Sequence, residues 1–508
     1  MRSIAHVSAA APARRPPARV RTRPSLLGHR PRAAALVAAG ALVATGAVLS
    51  APAAHAEPEC LSPSYDLDGD RTPDTVVGAP GTGARIGVVE VRLSTGRTQL
   101  LTGPQGFGAS VTQLGSYAQE GDDAWCTQLV VGSPNETVAG RARAGAVYLY
   151  AYDPATRGLA LRARYTADSP GVPGAPQAGA RFGAAVVSRA HTDEEIDPAP
   201  RFLWVGSPGQ DVAGVRDAGL LTAFKVGPGG PTAYAGRTIT LATPGVPGSP
   251  TVGGRLGSSL AQSGPVLAAG APGQRDAGAA SAGAALVVVE PTTGTWPAPV
   301  LLEQSTPGVP GVPEAGDRLG AAVALVETVP GRVRLVIGAP GEDVGSVSDA
   351  GTVVVGPVAA DPGGAVGPFT LWSQDSAGTG SSVERGDAFG AAVSSAVVGG
   401  RWRVLVGAPG EDVGSVVDAG SVQTLGTGHL WTENSPGVPG SAETGDRMGA
   451  TLGAFPAARE GQVPAIGVPG EDAATGAVLT GLPVTGAPTV HEIFGRATGA
   501  RYGYAVAP

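Results

Sequence analysis

Leu335-Val-Ile-Gly-Ala-Pro-Gly-Glu-Asp343, with Asp349-Ala-Gly-Thr-Val-Val-Val355 a few residues on, decides how this chain is read. The run ahead of Gly338 is short, apolar and β-branched, as a strand buried on both faces should be. Pro340 has no N–H to give to a ladder, so the strand stops at Gly-Ala-Pro. A loop carrying Glu342 and Asp343 comes next, and a second strand begins at Ala350-Gly351. One such unit would decide nothing. The chain repeats it.

The Gly-x-Pro corner recurs at Gly78, Gly132, Gly206, Gly270, Gly338, Gly407 and Gly467, each time after an apolar run such as Leu203-Trp-Val205 or Val404-Leu-Val406. A second signature, a large apolar residue followed by Gly, stands at Phe107-Gly108, Phe182-Gly183, Leu256-Gly257, Leu319-Gly320, Phe389-Gly390, Met448-Gly449 and Tyr502-Gly503. The two series are staggered. The corner at Gly78 has no apolar-Gly before it, and Tyr502-Gly503 has no corner after it. A C-terminal strand over 500–507 can therefore pair beside the strand ending at Gly78, which closes a ring.

Gly and Pro supply 80 and 46 of the 508 residues. Without a period that richness would indicate disorder; with one it indicates tight turns between short strands. Seven units of about 65 residues suit four strands and their loops. The expected fold is therefore all-β: a seven-bladed β-propeller of four-stranded antiparallel blades, closed by pairing of the C-terminal strand with the N-terminal blade. Each blade is expected to begin with its innermost strand at the apolar-Gly signature. Connections such as Thr306-Pro-Gly-Val-Pro-Gly311 and Ser435-Pro-Gly-Val-Pro-Gly440 are turn formers that lead from one blade to the next.

Residues 1–56 read as a signal peptide rather than as fold. A basic stretch from Arg14 to Arg32 precedes the apolar Ala33–Leu49, and Ala54-His55-Ala56 is a small-x-small cleavage site. Residues 57–508 would then be one propeller domain, secreted and extracellular. Loss of the leader removes eight Arg and no acid, taking the net charge from −7 to −15. That balance argues against nucleic acid as a partner and suits cation binding. No later stretch is long and apolar enough to span a bilayer. Cys60 and Cys126 are the only cysteines, and an even pair in a secreted chain reads as one disulfide.

Apolar-Gly followed by Gly-Ala-Pro, seven times over residues 60–508, resembles the FG-GAP repeats of the integrin α-subunit N-terminal β-propeller and of related secreted bacterial proteins. The resemblance implies loops between the first and second strands of a blade that bind Ca²⁺, and an opposite face that binds partners. The leg domains and membrane helix of integrins have no counterpart here, so a free-standing module is expected.

Asp66-Leu-Asp-Gly-Asp-Arg-Thr-Pro-Asp74 is the best candidate site. Alternating carboxylates converge when a loop wraps a hard cation, and Gly69 permits the turn. Asp66, Asp68, Asp70 and Asp74, with the carbonyl of Thr72, would supply oxygen ligands to one Ca²⁺. The spacing is not that of an EF-hand, because Val77 stands where its closing Glu would be; it matches instead the calcium loop of the FG-GAP family. Other loops of this class lack the motif, and Asp193-Glu-Glu-Ile-Asp197 is acidic without its spacing.

The acids after the corners (Glu342, Asp343 and Asp349; Glu411, Asp412 and Asp418; Glu471 and Asp472) are expected to be solvated, with the Asp before Ala-Gly capping a turn. Arg385-Gly-Asp387 is the tripeptide integrins recognise, but Gly-Asp recurs at Gly316-Asp317 and Gly445-Asp446, which makes it a by-product of the repeat. No His-Glu-x-x-His, Gly-x-Ser-x-Gly or Cys/His cluster is present. The expected function is a non-catalytic binding or adhesion module, monomeric, for an extracellular protein or glycan. The alternatives are a carbohydrate-binding lectin and an extracellular hydrolase with a carboxylate pair in the propeller channel.

Overall fold

The structure is a computed structural model that describes residues 65–506 except 82–85, 116–126, 189–201, 228–229, 292–295, 330–331, 360–365, 399–400, 458–460, 482–490 and 495–502. All of them belong to the unit Glu57–Pro508. The expected leader, Cys60 and Cys126, and Asp193–Asp197 lie outside the described residues.

The strands fall into seven antiparallel sheets of four. Blade 1 contains β1 (Thr75–Ala79), β2 (Gly87–Arg92) and β3 (Thr98–Gly103). Blade 2 runs β4 (Ser110–Leu114), β5 (Gln128–Ser133), β6 (Ala146–Asp153) and β7 (Gly158–Tyr165), and blade 3 runs β8 (Ala185–Ser188), β9 (Phe202–Ser207), β10 (Leu220–Gly227) and β11 (Gly230–Ile239). In blade 4 the strands are β12 (Leu260–Ser263), β13 (Val266–Ala271), β14 (Ala284–Val289) and β15 (Val300–Leu302). Blade 5 follows with β16 (Ala322–Val329), β17 (Arg332–Ala339), β18 (Thr352–Ala359) and β19 (Thr370–Trp372). Blade 6 has β20 (Ala392–Val398), β21 (Arg401–Ala408), β22 (Ser421–Thr424) and β23 (His429–Trp431). Blade 7 has β24 (Thr451–Ala457), β25 (Gly461–Val468), β26 (Ala477–Thr480) and β27 (His491–Phe494), with a single turn, α1 (Glu471–Ala474), between β25 and β26.

The last strand, β28 (Ala505–Val506), completes blade 1. It pairs antiparallel with β1, Val77 opposite Val506 and Gly78 opposite Ala505. The innermost strands touch in a closed order, β4, β8, β12, β16, β20, β24, β28 and back to β4. The staggered signatures are thus joined as expected, and among the described residues the sheet that holds the first strand also holds the last.

The repeated glycines have one physical explanation. In blades 2 to 7 the N–H of the glycine after the apolar residue bonds the carbonyl of its own blade's corner glycine, as Gly390 N to Gly407 O at 3.0 Å and Gly449 N to Gly467 O at 3.1 Å. Its own carbonyl lies against the corner glycine of the preceding blade. A Cβ on any of the seven corner glycines would stand 1.9–2.1 Å from that oxygen, where no side-chain atom fits. The closing contact, Gly467 against Gly503, repeats the geometry of the others. Both signatures are halves of one contact between neighbouring blades.

The apolar residue of the signature stands before the innermost strand rather than beginning it. Phe182, Leu256, Leu319 and Met448 bridge in parallel to Gly145, Gly219, Gly283 and Gly420 at the start of the third strand of the preceding blade. All four side chains are buried, as are Phe107 and Phe389. The core therefore lies between blades. One cluster joins Trp204, Leu221 and Ile239 of blade 3 to Leu267, Ala269 and Leu286 of blade 4, as sheets that cannot cover both faces alone require.

Candidate metal centre and the acidic blade interfaces

The loop from Tyr65 to Asp74 enters β1 and occupies, through the closure, the place between the first and second strands of blade 1. Its neck is closed by Asp74 N–H donating to Tyr65 O at 2.8 Å. Leu67, fully buried among Val76, Val89, Val91 and Leu93, pins the loop to the core. Tyr65 N–H donates to Gln113 Oε1 of β4, tying the loop to the next blade. Left-handed backbone at Gly69 and Arg71, φ 79° and 69°, turns the chain back on itself.

That wrapping brings one carboxylate oxygen each of Asp66, Asp68 and Asp74 within 4.8 Å of one another. Asp66 is fully buried and accepts the N–H groups of Gly69, Asp70 and Arg71 at 2.7, 3.1 and 2.7 Å. Asp74, 2% exposed, accepts from Leu67 N at 2.7 Å and Ser94 N at 2.8 Å. Burial, helped by the charges of Asp68 and Asp66, pushes the Asp74 carboxyl up to about 7 against those two donors. Asp68 is raised as well, by burial first and then by Asp70. Clustered carboxyls held this way favour a hard cation among them.

Asp70 stands outside that group of three. Asp70 is exposed, accepting the Ser94 hydroxyl on one oxygen and Thr72 N–H at 2.8 Å on the other. Thr72 thus enters the loop's hydrogen bonding as a donor to Asp70. The carboxylates that converge are those of Asp66, Asp68 and Asp74.

The loops after the later corners depart from expectation. The Asp before Ala-Gly does not cap; it is capped. Asp349 N–H donates to Asp343 Oδ1 at 2.9 Å, and Asp418 N–H to Asp412 Oδ1 at 2.9 Å. Asp349 and Asp418 themselves take left-handed backbone, φ 53° and 51°. Nor is the acid one residue earlier solvated. Glu342, Glu411 and Glu471 are buried, because the loop folds them under against the end of the preceding blade. Gln304, just after β15, donates Nε2 to Glu342 Oε2 at 2.6 Å. Gln374, just after β19, does the same for Glu411. Burial and a neighbouring Asp push Glu342 up to about 7 and Glu411 up to about 8.

The neighbouring Asp in each case belongs to the Gly-Asp step. Asp317 and Asp387 are buried, accept N–H groups of Glu314 and Glu384 at 2.6 Å, and are raised to about 6, chiefly by burial. Asp387 of Arg385-Gly-Asp387 therefore faces the inside of an interface, in keeping with the by-product reading.

At the next interface, between blades 6 and 7, Glu433 occupies the position of Gln304 and Gln374. It meets Glu471 and Asp446, and one oxygen of each lies within 4.8 Å of the others. Sequence reasoning missed this trio. The signal was there: Gln304 in Glu303-Gln-Ser-Thr-Pro-Gly308, Gln374 in Ser373-Gln-Asp-Ser-Ala-Gly378 and Glu433 in Thr432-Glu-Asn-Ser-Pro-Gly437 align through their Gly.

No family model matches this chain, and no curated protein matches it. Solved structures align with it weakly. A 6-phosphogluconolactonase candidate from Bacteroides uniformis is 13% identical, with 83% of this chain and 96% of that one covered, at a TM-score of 0.44. A second candidate of that name, from Bacteroides fragilis, is 11% identical over 86% and 98%, at 0.44. Apo AztD from Citrobacter koseri is 11% identical over 85% and 96%, at 0.37. Superpositions this loose carry no argument about activity or ligand. The assignment as a propeller rests on the chain's own sheet order and closed ring of strands.

Proposed function

We propose that this chain is a secreted, calcium-stabilised β-propeller of the FG-GAP kind that works as a non-catalytic binding or adhesion module for an extracellular protein or glycan. The observation that carries the reading is the convergence of Asp66, Asp68 and Asp74 in a buried-necked loop ahead of the first corner. Ca²⁺ there would cross-brace the point where the ring closes, since that loop leads into β1 and β1 pairs with β28. The leader-like residues 1–56 and the acidic balance of the remainder support export and a cationic or neutral partner surface. A disulfide between Cys60 and Cys126 would tie the closing blade to its neighbour. Among the described residues no helix is long and apolar enough to cross a membrane.

A glycan array and an extracellular-protein pull-down, each run with Ca²⁺ and with chelator, test the proposal. Retention of a protein or glycan in Ca²⁺ and its loss in chelator is the expected result. Turnover of a captured glycan would replace the module by a hydrolase.

A further inference from the structure

The interface between blades 6 and 7 departs from its two sibling interfaces in one chemical respect. In the siblings an amide stands between two carboxyls. Gln304 Nε2 donates to Glu342, which has Asp317 beside it, and Gln374 Nε2 donates to Glu411, which has Asp387 beside it, and to Ser381 Oγ at 3.1 Å. An amide nitrogen brings hydrogens to the carboxyl it meets, where a carboxylate brings none. At the third interface Glu433 follows the same path: a Cβ on Gly440 would lie 2.9 Å from Glu433 Oε1, as one on Gly311 would lie 2.9 Å from Gln304 Nε2. The donor has thus become a third acceptor.

Glu433 is 2% exposed, and neither of its carboxylate oxygens has a hydrogen-bond partner. Asp446 and Glu471 are buried beside it, and Asp446 also accepts Glu443 N–H. A buried carboxylate left this way is costly unless something positive stands with it. A proton on Glu433 supplies one hydrogen, enough for Glu471 or for Asp446 but not for both. A divalent cation can bridge all three.

The loop is also rebuilt here and nowhere else among the described post-corner loops. Gly341 to Gly351 spans a Val344–Val347 bridge, and Gly410 to Gly420 a Val413–Val416 bridge. Gly470 to Gly476 is shorter and makes the turn α1, with left-handed backbone at Asp472, Ala473 and Ala474. That turn carries Glu471 at its start.

We propose that Glu433, Asp446 and Glu471 form a second site for a hard divalent cation of the calcium kind, clamping blade 6 to blade 7. Oxygen-only ligands select such an ion over zinc or copper. The site is built from residues far from the Asp66–Asp74 loop in sequence and does not depend on it. At the blade 2–3 and blade 3–4 interfaces the corresponding positions hold Ala167 and Ala180, and Leu241 and Gly254, so the feature is specific to the third acidic interface.

Calorimetric titration of the purified full chain with Ca²⁺ tests it, using Glu433→Gln and Asp68→Asn singly and together. Gln stands at this position in both siblings, so Glu433→Gln restores a known interface. The parent is expected to bind two ions, each single variant one, and the double variant none. Glu433→Gln should also lose part of the Ca²⁺-dependent rise in melting temperature. Asp446→Asn is the second variant at the same site and should behave alike. If Glu433→Gln and Asp446→Asn bind as many ions as the parent, a shared proton holds the interface and the second site falls. Asp68→Asn reports separately on the loop before β1, so failure of either site is seen by itself.

Discussion

The loop before the first corner and the loops after the later ones hold similar numbers of acids and use them in opposite ways. Between Tyr65 and Asp74 the chain coils on itself, and three carboxylates end up facing one another. Between Gly341 and Gly351 the chain makes a short bridge, Asp343 is taken up by Asp349 N–H, and Glu342 turns under to meet the blade before it. Acid content alone does not make a cation site. What matters is whether the carboxylate oxygens of several acids converge, as those of Asp66, Asp68 and Asp74 do. Backbone and amide donors reach Glu342, Asp343, Glu411 and Asp412 in the post-corner loops of blades 5 and 6. The blade 6–7 interface breaks that pattern, because an acid replaces the amide.

The largest test of this contrast is Asp74→Ala. It strips acceptors from Leu67 N–H and Ser94 N–H in a buried position and removes a converging carboxylate, so a loss of about 2–5 kcal/mol is expected in a denaturant melt. Asp343→Ala, in a post-corner loop, should cost far less. Equal losses would erase the distinction between the two loops.

Chelation comes next. A protein holding Ca²⁺ at a hundredfold excess over its Kd gains about 2.7 kcal/mol from binding. The melting temperature should fall on chelation in the parent and stay nearly unchanged in Asp68→Asn/Glu433→Gln. An unchanged parent would remove calcium from the account.

The acidic interfaces predict a pH effect of the opposite sense to ordinary surface carboxylates. Glu411 titrates at about 8 when folded against an ordinary 4.5, with Asp387 and Glu384 beside it. A folded value above the unfolded one means that the stabilisation is complete below about pH 4.5 and is lost as pH rises toward 8. Melting curves should show stability falling over that window. Glu411→Gln should flatten the fall, and a parent-like slope in that variant would contradict the assigned burial.

The smallest effect is Asp343→Ala itself. It leaves one exposed backbone N–H to water, and a loss of at most about 1 kcal/mol is expected in the same melts.

Much of this was legible beforehand. The two glycine signatures, their count and their stagger identified a ring of seven blades and its closing partner, because a contact between neighbouring backbones leaves the same residue on both sides each time. The spacing of Asp66, Asp68 and Asp74 was equally visible. The parting of Asp70 was not, because Ser94, which takes its carboxylate, comes from a different stretch of chain. Glu342 and Glu411 were read as loop surface for a related reason. Their partners, Gln304 and Gln374, lie 38 and 37 residues earlier, in the preceding blade.

The amino-acid sequence by itself determined the repeat, the turns and the closure, since these follow from local sterics at Gly and Pro and from apolar runs too short to be anything but strands. Only the tertiary structure decided which acids are buried and which of them face a donor. Burial and hydrogen-bond partnership between blades are set by what the neighbouring blade presents, and no stretch of a single blade contains that information. The trio of Glu433, Asp446 and Glu471 shows it most plainly: one residue supplied by the sixth blade and two by the seventh make a cluster that neither blade's sequence describes.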